Sequence, residues 1–205
     1  MSSEAIGRDN ALAVILPERD SNSKNIKDAV RFARELKIRY INKKITLILS
    51  LIGIYRMYLP SILFKKSIVE RYITKKRESI SKSLGKNLYI PNLTGSSNKE
   101  LCKGLAYYRI KHRIRSALLF YYVELNNYLF VGCANKSEWL TGFFVKYGDG
   151  IADIMPLISL YKTQVFAMAD YLKLPDYIIS KAPSPDLLPG IYKNLLLDLI
   201  SIKHK

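Results

Sequence analysis

Cysteine and histidine are scarce in this 205-residue chain, which has only Cys102, Cys133, His112 and His204. The two cysteines show no metal-like or redox-like spacing, so they build neither a disulfide framework nor a thiolate zinc centre, and they fit a reducing, intracellular compartment. Two histidines supply a His-rich zinc site or a Ser-His-Asp triad poorly, so any metal should be a hard cation on carboxylate oxygens. Acidic residues are in deficit as well: 17 Asp+Glu against 33 Lys+Arg leave a formal net charge of +16. Such a surface attracts nucleic acid, nucleotides or an anionic membrane, and it equally fits a solvated basic face with no specific partner. No two glycines are adjacent anywhere in the chain. Long apolar runs are missing too. The most apolar one, Ile45 to Tyr55, is far too short to span a bilayer and ends at Arg56. The opening residues MSSEAIGRDN lack a basic stretch followed by an apolar core, which argues against a signal peptide.

Hydrophobic residues make up 49% and charged ones 24%, the balance of a folded soluble protein, and the length suits a single domain over residues 1–205. Ala11 to Leu16 (ALAVIL), ended by Pro17, reads as a strand buried on both faces of a parallel sheet. Ser21, Asn22 and Ser23 then offer N-cap oxygens to a helix from about Lys24 to Lys37. Its Ile26, Ala29, Val30, Ala33 and Leu36 share one face. Strand, loop and amphipathic helix form half of a βαβ unit. Ile45 to Tyr55 is either a second buried strand or a core helix segment, and its periodicity does not separate the two. Tyr55 to Lys82 reads as helical with a basic outer face, and Gly85 to Glu100 as a surface loop rich in Gly, Pro, Asn and Ser.

A clear helix is expected from Leu105 to Leu125, with Ile110, Ile114, Ala117, Leu118, Tyr121, Tyr122 and Leu125 on one stripe. Arg109, Lys111, Arg113 and Arg115 crowd its first half, where the macrodipole disfavours cations; an anionic ligand or a solvated basic face accounts for them equally well. Asn126 and Asn127 break the helix, and Tyr128 to Gly132 is another candidate buried strand. Cys133 to Asn135 then fall just beyond a strand's carboxyl end, where open α/β sheets place their ligands. Glu138, three residues after Asn135, either completes a capping box or faces the crevice to help hold Mg²⁺. Gly148-Asp149-Gly150 reads as a tight turn, followed by Asp153 in an extended segment. Leu160 to Leu174 is a further helix carrying Lys162 in its first turn, where it reaches phosphate or extends into solvent. Lys181 to Asp186 (KAPSPD) is a rigid loop with Ser184.

The clusters NKSE, KYGDG, LYKTQ and KAPSPD, in this order from Leu105 to Leu187, resemble the ammonia-dependent NAD synthetases. That family's pattern runs close to NKSE, KYGDG-x-x-D-I-x-P, LYKTQV and a K-x-P-[ST]-x-D-L loop, and ALAVILPERDSNSKNIKDAVRFARELKI is similar to its second strand and following helix. The resemblance implies an α/β fold of the adenine-nucleotide α-hydrolase type, Rossmann-like, with a parallel sheet sandwiched by helices, here truncated at both ends. It also implies a cytoplasmic homodimer that amidates deamido-NAD with ammonia at the expense of ATP. By the same resemblance Arg113, Lys146 and Asp153 touch deamido-NAD, while Lys162, Ser184 and Cys133 touch ATP, Cys133 standing where the family has a threonine. Glu138 contributes to Mg²⁺, and no side chain acts as a nucleophile. The family's SGGxDS loop, whose backbone amides cradle pyrophosphate, has no counterpart here, so impaired turnover is expected. A catalytically inactive dinucleotide-binding relative is the alternative. A nucleic-acid-binding module is a weaker third, because no base-stacking or groove-reading motif accompanies the charge.

Overall fold

The computed structural model describes residues 2–58, 75 and 98–181. Ser184, nearly all of the expected surface loop Gly85–Glu100, and most of the expected basic helix Tyr55–Lys82 lie outside these residues. The described residues fall into two compact units, 2–58 with 75 in the first and 98–181 in the second.

The first unit begins with a one-turn helix α1 (Ser2–Ala5) and a 3-10 turn at Arg8–Asn10. Strand β1 (Leu12–Ile15) then pairs in parallel with β2 (Arg39–Asn42), from Leu12 opposite Arg39 to Ile15 opposite Asn42. Between them runs α2 (Ser23–Glu35), started by Asn22, whose Oδ1 accepts the Lys24 N–H at 2.9 Å. α2 packs on both strands and buries Ala33, completing the βαβ crossover that the first half of the pattern foretold. The second strand is not where the longest apolar run lies. β2 is only RYIN, two apolar or aromatic residues between an arginine and an asparagine, too short and too polar for a periodic signal.

Ile45 to Tyr55 takes the helical alternative, as α3 (Thr46–Leu51) followed by a 3-10 turn at Ile54–Tyr58. Ile45 and Leu49, one helical turn apart, are buried, whereas Leu47 and Leu51 are 70% and 78% exposed, so only one face of the run meets the core. At the exit of β1, buried Glu18 accepts the Tyr55 O–H at 2.8 Å and the Asp20 N–H at 3.1 Å. Burial, together with that carboxylate, raises the Tyr55 phenol well above its ordinary range and keeps it a donor.

The second unit is built on α4 (Lys99–Asn126), 28 residues long. Asn98 caps it by accepting N–H bonds from Glu100 and Leu101 at 3.0 and 3.1 Å, and Asn127 ends it in the left-handed conformation at φ 52°. Because the helix starts at Lys99 and not Leu105, Arg109 to Arg115 lie well past the first turn, where the macrodipole has faded. The expected conflict between those cations and the dipole therefore does not exist. The buried line also differs from the expected stripe: Tyr107, Lys111, Ser116 and Tyr122 are buried, while Ala117, Tyr121 and Leu125 are exposed. Lys111 is wholly buried, with its ammonium 4.1 Å from the Tyr107 ring centroid, a favourable cation–π arrangement.

Tyr128 to Gly132 is not a buried strand. It makes one parallel bridge, Val131 to Ile154, and both Leu129 and Val131 are exposed. Phe130 edges onto Phe120 of α4 with centroids 5.5 Å apart, which ties this segment to the helix. Two short helices follow, α5 (Lys136–Thr141) and α6 (Lys162–Tyr171), packed together, with α7 (Asp176–Ile179) after Pro175. Among the described residues no helix is long and apolar enough to cross a membrane.

Candidate functional site

Six of the seven residues singled out by the family resemblance are described, and all six lie in the second unit. Five of them form two groups. The first sits where α5 meets α6. Asn135 and Glu138 make a complete capping box: the Glu138 N–H donates to Asn135 Oδ1 at 3.1 Å and the Asn135 N–H donates to Glu138 Oε2 at 3.2 Å. The other carboxylate oxygen faces Lys162, whose Nζ is 3.4 Å from Glu138 Oε1. Lys162 is the first residue of α6, and its backbone N–H donates to Ser137 Oγ at 3.1 Å, so the start of one helix is bonded to the start of the other. Cys133 lies within the field of both charges. The protein atoms crowded about its thiol raise its pKa although part of its surface reaches solvent; Glu138 raises it further and Lys162 opposes them.

The second group joins α4 to the turn at 145–150. The Arg113 Nε–H donates to the Lys146 carbonyl at 3.2 Å, and the Lys146 ammonium rests 4.9 Å from the Tyr147 ring centroid. Asp149 organises the turn from within, its Oδ1 accepting the Val145 N–H at 2.8 Å. A methyl group at Gly148 would stand 2.8 Å from His112 Cβ, and one at Gly150 would overlap the Phe144 ring. The two glycines are what lets the turn approach α4 and Phe144 this closely.

Asp153 belongs to neither group. Its Oδ2 accepts the Phe130 N–H at 2.7 Å while its own N–H donates to the Phe130 carbonyl at 3.0 Å, so it fastens the Val131–Ile154 bridge just ahead of Cys133. Three residues that the sequence reading passed over contribute to these groups: Ser137, which accepts the α6 amide, and the pair His112 and Asp149, with Nδ1 3.6 Å from Oδ1. Asp149 was visible only as the middle letter of a turn, and His112 carried no signal beyond its place next to Arg113.

The resemblance implies Mg²⁺, and the donors can be compared with what that ion requires. Among the described residues no cluster of three His, Cys, Asp or Glu side chains is present, and Glu138 is the single carboxylate in its group. Mg²⁺ commonly takes one or two protein carboxylates and completes its octahedron with phosphate oxygens and water. A single carboxylate beside a lysine fits that mode and does not fit an all-protein cage.

Comparison with known proteins identifies the family. The sequence pattern of the family described as NAD synthase matches residues 1–58 and 76–199. The chain is 44% identical to the NH(3)-dependent NAD(+) synthetase of Thermotoga maritima over 196 residues, covering 96% of this chain and 68% of that one. It is 43% identical to the Thermotoga neapolitana counterpart, covering 96% and 66%. The fold is similar to that of the NH3-dependent NAD synthetase from Campylobacter jejuni (TM-score 0.57, 28% identity, 89% of this chain and 60% of that one). It is also similar to that of an NMN synthetase from Francisella tularensis (TM-score 0.61, 25% identity, 94% and 62%). The chain thus spans about two thirds of the length of these relatives. An α/β fold with parallel strands of the adenine-nucleotide α-hydrolase type, expected from the motifs, is what these structures share with it. With its motifs, its fold and most of its length matched in this way, the chain belongs to the NAD synthase family.

Proposed function

We propose that this protein takes part in the ATP-dependent amidation of deamido-NAD with ammonia, giving NAD, AMP and pyrophosphate. In this reaction the deamido-NAD carboxylate attacks the α-phosphorus of ATP and pyrophosphate leaves. Ammonia then adds to the acyl carbon, loses a proton, and AMP departs with the C–O electron pair. Both leaving groups are anions, so the protein's contribution is fixed positive charge and orientation, with no covalent step on a side chain. We assign Lys162 to ATP phosphate, with Ser184 and Cys133 as further ATP contacts, and Arg113, Lys146 and Asp153 to the dinucleotide. Mg²⁺, when bound, neutralises phosphate charge; Glu138 is the carboxylate we assign to it.

The observation that carries this reading is the Lys162–Glu138 pair at the joined starts of α5 and α6, 3.4 Å apart beside Cys133, in a chain whose family acts on ATP. A lysine at a helix start is poorly placed for the macrodipole and well placed for a phosphate. We assign the protein to a reducing, cytoplasmic setting, which suits two cysteines with no disulfide between them. We also assign the protein to homodimers; the exposed Tyr121, Leu125 and Leu129 provide apolar surface of the kind a second copy covers.

The test is calorimetric titration of the purified chain with deamido-NAD and, separately, with AMP, followed by an amidation assay with ATP, Mg²⁺ and ammonia. Saturable binding of both ligands is the expected result, and failure to bind either overturns the reading. The chain has no adjacent glycine pair to form a phosphate-cradling loop, so turnover well below that of the Thermotoga maritima relative is expected. Comparable turnover would overturn the expectation of impairment while leaving the reaction itself supported.

A further inference from the structure

We infer that His112 is a positioning residue: its contact with Asp149 and Gly148 docks the turn at 145–150 on α4 and so holds Lys146 beside Arg113 for the dinucleotide. This rests on the assignment of Lys146 and Arg113 to deamido-NAD. It goes beyond that assignment, because His112 itself faces the turn.

His112 immediately precedes Arg113 on α4, and its side chain is only 17% exposed. Nδ1 points at Asp149 Oδ1, 3.6 Å away, and Nε2 is buried with no hydrogen-bond partner among the described residues. The Tyr108 ring, one turn earlier on α4, packs edge-on against the imidazole with centroids 5.0 Å apart. The turn meets α4 at two neighbouring points, where His112 packs against Gly148 and faces Asp149, and where the Arg113 Nε–H donates to the Lys146 carbonyl. Between these points the turn holds itself together by Val145 N–H to Asp149 Oδ1, Gly148 N–H to the Val145 carbonyl, and the left-handed Tyr147 at φ 61°. Asp149 is therefore shared: the oxygen that closes the turn is also the one that faces His112.

A buried ring nitrogen with no partner is tolerable as a neutral lone pair and costly as a charged N–H donor. Asp149 from the turn and Tyr108 from α4 face the ring, and the charges of Lys111 and Arg115 on α4 act on it as well. Burial lowers the His112 pKa from the ordinary 6.5; Asp149 raises it, while Arg115 and Lys111 lower it. Burial, followed by the Asp149 charge, pushes the Tyr108 phenol up to about 12, so it stays neutral throughout. The lowered His112 value means that the docked state prefers the neutral ring. Docking is then fully stable above about pH 6.5 and loses stability as the pH falls through the lowered value.

The experiment is amide hydrogen exchange on the turn, corrected for intrinsic rates, between pH 7.5 and 5.5, with deamido-NAD and AMP titrated in parallel. In the wild type, protection at Val145, Gly148 and Gly150 should drop as the pH falls, and deamido-NAD affinity should fall with it. His112→Asn should show weak protection across the whole range and bind deamido-NAD roughly tenfold more weakly, with AMP affinity unchanged. Should that variant fail to fold, Asp149→Asn serves instead. It keeps an acceptor for the Val145 N–H and removes the charge that raises the His112 pKa, so the loss of protection on acidification should deepen; a flattened profile overturns the proposal. Wild-type protection that does not change with pH, or a folded His112→Asn with unaltered protection and affinity, overturns the proposal. If Lys146→Ala leaves deamido-NAD affinity intact, the substrate assignment fails, and the exchange data still decide the clamp.

Discussion

Single side chains in this molecule carry two kinds of work, and Glu138 shows how they separate. Its Oε2 closes the capping box and its Oε1 faces Lys162, so one carboxylate serves the helix start and the candidate metal and phosphate group together. Glu138→Gln keeps an oxygen for the Asn135 N–H and removes the charge. Thermal unfolding should therefore shift by less than about 1 kcal/mol, while the Mg²⁺ dependence of nucleotide binding should be lost. A large loss of stability with Mg²⁺-dependent binding unchanged would leave Glu138 a purely structural residue. Asn135 is the contrasting case: it is buried and caps α5, so Asn135→Ala should cost about 1–2 kcal/mol in chemical denaturation. Both readings of Glu138 were visible from the spacing N-x-x-E, because a capping box is a local pattern. The partnership with Lys162 was not, because the two residues meet only once α5 and α6 pack.

At the scale of elements, the two long helices and the apolar strand β1 were readable from local pattern, whereas β2 and the segment at Tyr128–Gly132 were not. α2 was legible from its cap and apolar face, and α4 from its apolar stripe and the break at Asn126–Asn127, although α4 begins at Lys99, capped by Asn98 within the expected loop. β2 has four residues, two of them polar, and takes its identity from pairing with β1, an event remote in sequence. Tyr128 to Gly132 had the composition of a buried strand, yet a single bridge and Asp153 hold it, and its apolar side chains remain largely at the surface. The turn at 145–150 was legible from its glycines, but the reason for them was not. Gly150→Ala places a methyl group into the Phe144 ring and should destabilise the second unit by about 1–3 kcal/mol, measured as a lowered denaturation midpoint. A midpoint unchanged from wild type would show that Phe144 can move aside at no cost.

Across the whole molecule the dominant quantity is the net charge of +16, and its interpretation depends on the groups it surrounds. Arg113, Lys146 and Lys162 stand beside glycine turns and helix starts, which suits small anionic ligands held at fixed points. Affinity for deamido-NAD should therefore fall smoothly as salt rises through the physiological range, because exposed charges are screened within about 8 Å there. Retention on duplex or single-stranded nucleic acid at low salt, with a steep salt slope, would favour a nucleic-acid role instead. Family membership was readable from four motifs in order, because each is a local run of letters that needs no folding to be seen. The arrangement of those loops into a Glu138–Lys162 group and an Arg113–Lys146 group required the packed helices.

The most direct measurement is the affinity of the wild type, Lys146→Ala and Lys162→Ala for both ligands by calorimetry. If the two groups serve the two halves of one amidation site, Lys146→Ala weakens deamido-NAD by roughly tenfold and spares AMP, and Lys162→Ala does the reverse. Wild-type binding of neither ligand, or equal affinities for both ligands in all three proteins, would contradict the account.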